Sequence, residues 1–337
     1  MSAVARRHRR AHSAVPALAA VLFTVVAVGS ADAVAPAAIA PRKVTDFDHA
    51  DPAAIEYGGK IYSYATDGSN DTRRIRVIRA DSPAGPYTQL GKALDQVPWA
   101  KDDTAVMGPH VVHRGGDRFL MYFTTNPRNG TEKCVGAAVS TTGPAGPFTP
   151  RAKPLICDEA QHGAIAPSYF HDPRTGKHYL LYKTNGPNAI RRIYLQGLTA
   201  DGLSISGNRT LLGERDFNYE NPQVVYRKGR YFLFMSRNDF RSADYKTTVN
   251  WADNVTGPYP ADRAHNLITK ENTSIAGPAS AELVTLADGR TVAFFHGWRQ
   301  DGGPCGSPRY LYVATITWGR AGDHPRLEEP RPGDAHC

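Results

Sequence analysis

An all-β fold built from five repeated units is what this sequence predicts, on three observations. A dipeptide ending in proline recurs at Asp51-Pro52, Gly108-Pro109, Ala166-Pro167, Asn221-Pro222 and Gly277-Pro278, with the prolines 57, 58, 55 and 56 residues apart. Each dipeptide is followed by an apolar run, a turn containing glycine and an aromatic-rich run. Beyond the first 33 residues, no segment of ten or more carries helical periodicity. A period this regular marks five copies of one supersecondary unit.

The units can be read in order. Each opens on a strand that is apolar on both faces: Ala53-Ala54-Ile55, Val111-Val112, Ser168-Tyr169-Phe170, Val224-Val225 and Glu282-Leu283-Val284. The turns that follow hold Gly58-Gly59, Gly115-Gly116, Thr175-Gly176, Lys228-Gly229 and Asp288-Gly289, where glycine supplies positive φ without steric cost. The second strands, such as Ile61 to Tyr64, Phe119 to Phe123 and Tyr231 to Met235, have the branched and aromatic composition of sheet. Third strands follow at Arg74 to Ala80, Val135 to Ser140 and Tyr310 to Thr317. Several run toward a Gly-Pro-aromatic turn, at Gly85-Pro86-Tyr87, Gly146-Pro147-Phe148 and Gly257-Pro258-Tyr259. With a weaker fourth strand each unit is a meander, and meanders repeated radially make a five-bladed β-propeller. A solenoid fits less well, because each unit holds several strands rather than one per coil.

The chain of 337 residues is long enough to bury a sizeable core. Its first 33 residues read as a secretory signal peptide: Arg6, Arg7, Arg9 and Arg10 precede an apolar stretch from Ala14 to Gly29, and Ala31-Asp32-Ala33 offers a small-x-small cleavage site. Export to the extracellular space is therefore expected, with no membrane contact after cleavage. Residues 34–46 read as a linker and 47–337 as a single propeller domain. Losing the leader removes four arginines and one aspartate, so the formal charge drops from +8 to +5. The remaining basic residues are scattered, which speaks against nucleic acid as a partner. A monomer is expected.

Four cysteines in an exported chain suggest two disulfides rather than a metal site. Sequence allows three pairings, of which the local one joins Cys134 to Cys157 and Cys305 to Cys337.

In a propeller the first strand of each blade lines the axis, so the five residues before the prolines should form a ring at one mouth. Proline suits the start of such a strand, where no ladder donor is required. Blade 1 places Asp51 in that ring; blade 4 places Asn221 there, directly after Glu220. Two carboxylates on non-adjacent blades are what hydrolysis of a glycosidic bond needs, one ionised and one protonated. A separation of roughly 6.5–9.5 Å would leave room for water and predict inversion. Without the ring, both acids would read simply as caps of strand starts.

These residues carry a resemblance. Asp51-Pro52-Ala53-Ala54-Ile55, Ile165-Ala166-Pro167-Ser168 with Tyr179 to Asn185, Glu220-Asn221-Pro222 with Tyr231 to Phe234, and Gly277-Pro278 with His296-Gly297-Trp298 together resemble glycoside hydrolase family 43, from about Asp48 to Leu327. The resemblance implies a five-bladed propeller of inverting arabinofuranosidases, arabinanases and β-xylosidases acting on plant cell-wall polysaccharide. It implies Asp51 as general base and Glu220 as general acid, and it matches Cys134 and Cys157 to a cysteine pair of some secreted members.

The chain departs from that pattern twice. The family's third aspartate, which orients the acid and keeps it protonated, is replaced by Ala166. His110 and His162 lie near enough in register to stand beside the acid, but a histidine cation would act in the wrong sense. A frequent Gly-Pro-Gly-His reads Gly277-Pro278-Ala279-Ser280, so a calcium or other ion in the channel loses a contact. No cofactor is required.

Substrate-binding candidates are Trp99, His110, Asn221, His296, Trp298 and Arg309. Trp298 could offer a stacking face for a sugar, and His296 could lie at the pocket floor, or both could be core residues between blades. Trp99 could wall the site from a loop or pack on the surface. The expected activity is single-step hydrolysis with inversion. The competing expectation, which the alanine favours, is a member that binds arabinan or arabinoxylan fragments without cutting them.

Overall fold

The computed structural model describes residues 37–66, 75–215, 218–298, 308–320 and 323–328. Residues 1–33, read above as a signal peptide, and Cys305 and Cys337 lie outside them. The described chain forms five antiparallel sheets, each of four or five strands, in the order of the sequence. Blade 1 holds Ala53–Tyr57, Lys60–Ala65, Arg76–Ala80 and Thr88–Lys92. Blade 2 holds Met107–His113, Phe119–Thr125 and Cys134–Ser140, with its outer edge split between Thr149–Pro150 and Ile156–Cys157. Blade 3 runs through Ile165–His171, His178–Thr184, Arg191–Leu198 and Thr210–Arg215, and blade 4 through Tyr219–Arg227, Arg230–Arg237, Lys246–Ala252 and His265–Ile268. Blade 5 is Ala279–Thr285, Thr291–Trp298 and Arg309–Trp318. The five-bladed β-propeller expected from the repeat is the fold observed.

Packing explains why the strands are apolar on both faces. Successive side chains on a strand point to opposite sides, and each blade is covered by a neighbour on both. On the second strand of blade 2, Phe119, Met121 and Phe123 join a cluster with blade 1 residues Ala53, Tyr64 and Val77. The alternate residues Leu120 and Tyr122 join blade 3 residues Tyr169, Leu180 and Tyr182. Three further clusters fill the interfaces of blades 3 and 4, 4 and 5, and 5 and 1. The core is thus five wedges arranged around an axis. The three Gly-Pro peptides of the repeated turn are cis, and the aromatic after each is packed into a wedge.

Blade 5 is completed from both ends of the chain. Arg42–Lys43 pairs with Val313 and Tyr312, and Pro325–Leu327 pairs with Ile316–Trp318. The described part of the stretch expected to be a linker, residues 37–46, is therefore built into the sheet: Ile39 N–H also donates to Thr315 Oγ1 at 2.8 Å. Pairing the amino-terminal strand with the last blade closes the circle and removes an open sheet edge. The Cys134–Cys157 disulfide forms as expected and links two strands of blade 2 that already pair at these residues.

Candidate functional site

The ring is real, but its backbone differs from the expectation. In blades 2 to 5 the ring residue sits in an irregularity within the first strand rather than at its start, as the register shifts between Met107 and His110, Ile165 and Ser168, Glu220 and Gln223, and Ala279 and Glu282 show. Each ring residue has positive φ: Asp51 48°, Gly108 55°, Ala166 54°, Asn221 52° and Ser280 53°. Asp, Asn and Gly tolerate that region best, so three of the five residue types suit it. Non-glycine residues held there mark sites where surrounding structure overrides local preference.

Blade 5 corrects the repeat. Its ring residue is Ser280, followed by Ala281 where the other blades have proline; Gly277-Pro278 lies three residues upstream and lines no part of the mouth. Gly277 has a different task. Its N–H donates to the Ala243 carbonyl at 2.7 Å, and a Cβ on it would stand 2.5 Å from Trp298 Cδ1. With φ at +58° as well, Gly277→Ala is expected to cost about 2–4 kcal/mol in a denaturant titration. An unchanged midpoint would show that the Trp298 ring can move aside.

A second set of residues locks the ring to its neighbours. In four of the five blades the backbone N–H of the ring residue donates to a side chain at the end of the preceding blade's second strand. Gly108 donates to Thr66 Oγ1 at 3.0 Å, Ala166 to Thr124 Oγ1 at 3.0 Å, Ser280 to Ser236 Oγ at 2.9 Å and Asp51 to His296 Nδ1 at 3.1 Å. By strand register the same position in blade 3 belongs to Lys183, which pairs with Ile165 as Thr124 pairs with Met107. Lys183 does not accept; it donates, to Glu220 Oε2 at 2.9 Å. The two positions that depart from Ser or Thr, His296 and Lys183, are those beside the two carboxylates.

Asp51 is held as an anion. Arg309 Nη1 reaches Oδ1 at 3.1 Å and Nη2 reaches Oδ2 at 3.4 Å, while Ser280 Oγ donates to Oδ1 at 3.0 Å and Thr66 Oγ1 to Oδ2 at 2.8 Å. Burial pushes the Asp51 carboxyl up, but the Arg309 guanidinium and the two hydroxyl donors outweigh it and bring it down to about 2. His296 itself is neutral: burial, then Arg309, lower it to about 3 despite Asp51. Its Nδ1 is therefore free to accept the Asp51 N–H. Arg309 is fixed in turn, since its N–H donates to Asp48 Oδ1 at 2.6 Å and its carbonyl accepts the His49 N–H at 2.7 Å. Its guanidinium lies 5.5 Å from the Phe240 ring centroid and 5.6 Å from that of Trp298.

Glu220 accepts on both oxygens, from Lys183 at Oε2 and from the Tyr245 hydroxyl at Oε1, 2.9 Å away. Lys183 is 6% and Glu220 17% exposed, so this ion pair is largely shielded from solvent. Ala166 contributes no carboxylate next to it. His110 and His162 do not fill the gap: His110 Nδ1 stands 3.4 Å from Glu282 and His162 Nδ1 3.4 Å from Glu132.

Other expected site residues have different places. Asn221 directs its amide nitrogen at Ser280, Tyr245 at 3.1 Å and Ser236 at 3.4 Å. Trp298 is 2% exposed, so it presents no face to a sugar; its Nε1 donates to the Phe240 carbonyl at 3.0 Å. His296 is fully buried behind Asp51, stacked on Tyr245. Trp99 stacks on Phe123 in the wedge between blades 1 and 2. His110 lines the axis below the ring, where Glu282 also accepts from Gln223 Nε2 at 2.8 Å. The axial cavity is narrow, about 40 Å³. Among the described residues no group of three His, Cys, Asp or Glu converges. Sequence reading missed Lys183, Tyr245, Ser280 and Thr66. Aligning the second strands on their own would have exposed Lys183, since its four counterparts are hydrogen-bond acceptors.

Similarity to known proteins gives the family and the fold. The profile of glycosyl hydrolases family 43 matches residues 93–323, more than half of the chain. No curated protein matches at a significant level. Among solved structures, a thermostable family-43 glycoside hydrolase superposes with a TM-score of 0.73 at 21% identity, covering 84% of this chain and 93% of that one. An endo-1,4-beta-xylanase from Bacteroides thetaiotaomicron gives 0.68 at 20%, covering 84% and 95%. An endo-arabinase from the same organism gives 0.67 at 17%, covering 85% and 99%. At such identities the structural likeness speaks for the fold, and the sequence profile speaks for the family. With five blades, a ring that carries Asp51 and Glu220 beside it, and a profile match across blades 2 to 5, this chain belongs to glycosyl hydrolase family 43.

Proposed function

We propose that this chain is an exported, inverting glycoside hydrolase that releases arabinofuranosyl or xylosyl units from plant cell-wall polysaccharide. Asp51 is the general base and Glu220 the general acid. A water bound at the mouth attacks the anomeric carbon as the glycosidic C–O bond breaks; Asp51 takes a proton from the water and Glu220 gives one to the leaving oxygen. The observation that carries the reading is the treatment of Asp51, a ring carboxylate held ionised by a guanidinium and two hydroxyls. A base must be ionised at working pH, and this one is. The xylanase and arabinase among the structural neighbours support the substrate class.

The test is turnover of aryl α-L-arabinofuranosides and β-D-xylosides by the intact protein, by Asp51→Ala and by Glu220→Ala, with the anomer of the first product read by NMR. Hydrolysis that survives both substitutions, or a retained configuration, overturns the reading.

One feature favours a second reading, that of a member which binds such oligosaccharides without cutting them. Glu220 accepts hydrogen bonds on both oxygens, and Ala166 supplies no neighbouring negative charge to hold a proton on it. Binding of arabino- or xylo-oligosaccharides without turnover would select it. Between the two stands one substitution. Residue 166 follows the strand partner of Lys183 and adopts a φ that aspartate tolerates better than alanine. Ala166→Asp is expected to give Lys183 a second carboxylate and raise kcat/KM roughly tenfold, mostly on the alkaline side of the profile. An unmoved alkaline limb would sink this account of the gap.

A further inference from the structure

The arc of the ring from blade 4 to blade 1 carries hydrogen-bonding side chains, whereas Gly108 and Ala166 leave the opposite arc bare. Those side chains form one continuous set of bonds. The Asn221 amide nitrogen donates to Ser280 Oγ and to the Tyr245 hydroxyl, 3.1 Å away. Ser280 Oγ donates onward to Asp51 Oδ1 at 3.0 Å, and the Tyr245 hydroxyl donates onward to Glu220 Oε1 at 2.9 Å. The directions follow from the amide, with the Ser236 and Ser280 hydroxyls also within hydrogen-bonding reach of Tyr245. An amide nitrogen only donates, so each hydroxyl that accepts from it turns its own single proton away, toward a carboxylate. Asn221 thereby sets the orientation of two hydroxyls on two different blades at once.

The surroundings leave this arrangement little freedom. Tyr245 is 1% exposed and stacked on His296 with ring centroids 5.7 Å apart, and Ser280 is 5% exposed with its N–H held by Ser236. Both carboxylates act on Tyr245: burial, then Glu220, then Asp51, push its hydroxyl well above the ordinary range, so it stays a donor.

We propose that Asn221 is a positioning residue that joins Asp51 and Glu220 into one hydrogen-bonded unit, with Ser280 serving the base and Tyr245 the acid. The amide cannot pass a proton on, so the unit aligns the carboxylates rather than relaying between them. This rests on the hydrolase reading above and gives it internal structure: a change made at one carboxylate is felt at the other.

The experiment uses the intact chain with Ser280→Ala, Tyr245→Phe, the double variant, and each of these again with Asn221→Ala. Rates are measured on aryl glycosides with good and poor leaving groups, and unfolding free energies by denaturant. Ser280 touches only Asp51 of the two carboxylates, yet Ser280→Ala is expected to steepen the dependence of rate on leaving group, the signature of a misaligned acid. Each single variant is expected to lower kcat/KM roughly ten- to hundredfold, and the double variant to fall short of the product of the two by at least about fivefold. With Asn221→Ala that shortfall is expected to vanish. Asn221→Asp keeps the shape but replaces the donor by an acceptor that draws both hydroxyls inward, so it is expected to be worse than Asn221→Ala. Effects that multiply within about twofold, or a coupling that persists without Asn221, overturn the proposal. The unfolding energies give the same cycle even where turnover is too slow to measure. Loss of the hydrolase reading shows separately, as turnover that survives Asp51→Ala and Glu220→Ala.

Discussion

Asp51→Asn is expected to slow hydrolysis by about 100- to 10 000-fold on every aryl glycoside, whatever the leaving group. The reason is the division of labour between the carboxylates. In the proposed mechanism Asp51 activates water, and no quality of the leaving group replaces that service. Glu220→Gln is expected to show the opposite signature, a comparable loss on poor leaving groups and a much smaller one on a dinitrophenyl glycoside, which departs without a proton. Asparagine keeps the shape of Asp51, but its one carbonyl oxygen can accept from only one of Thr66 and Ser280, which donate to different carboxylate oxygens, and it leaves the Arg309 guanidinium without a counter-charge. Turnover should therefore be compared at a denaturant-free temperature well below the midpoint of each variant. Equal losses for Glu220→Gln on good and poor leaving groups would remove Glu220 from the role of acid.

Arg309→Leu is expected to lower the unfolding free energy by about 3–5 kcal/mol at neutral pH. Arg309 is 14% and the Asp51 side chain 20% exposed, so removing the cation strands a mostly buried carboxylate. The pH dependence gives the stronger check. With Arg309 present the folded Asp51 titrates at about 2 against an ordinary value of 3.8. A depressed carboxyl stabilises the fold above its unfolded value and loses that contribution as pH falls, here between about 4 and 2. The contribution is about 2 kcal/mol. In Arg309→Leu the opposing charge is gone and burial is left against the two hydroxyls. The folded value rises and the loss moves to higher pH. The acid limb of kcat/KM is expected to move up with it, because the same carboxyl must be ionised to act as base. A stability curve and an acid limb that both stay in place would show that Thr66 and Ser280 alone hold Asp51.

Much of the site was legible in the sequence for a definite reason. A proline after a ring residue is a local mark, so Asp51, Gly108, Ala166 and Asn221 were found without any tertiary information. Glu220 came with Asn221. The disulfide between Cys134 and Cys157 was legible because its partners lie close along the chain. Where the local mark is missing, the reading slipped. In blade 5 a nearby Gly277-Pro278 imitates the signal, while the true ring residue Ser280 is followed by alanine. Trp298 could be read from the sequence as a sugar platform or as core between blades, and the structure decides for the core, its ring being spent on Gly277, Phe240 and Arg309.

The sequence by itself determined the number of blades, their order, the two-faced apolar strands that let each blade pack on two neighbours, and the two carboxylates at the mouth. These follow from periodicities within a single unit, which a chain carries in its own spacing. The tertiary structure alone decided how those carboxylates are held. The partners of Asp51 and Glu220 are Arg309, His296, Thr66, Ser280, Lys183 and Tyr245, and most belong to another blade. Such contacts form only when the circle closes, since a hydrogen bond between blades depends on the register of two sheets at once. A positive φ in a strand irregularity, likewise, is imposed by the neighbours that grip it, and at Ala166 and Ser280 it has no signature in the residue itself.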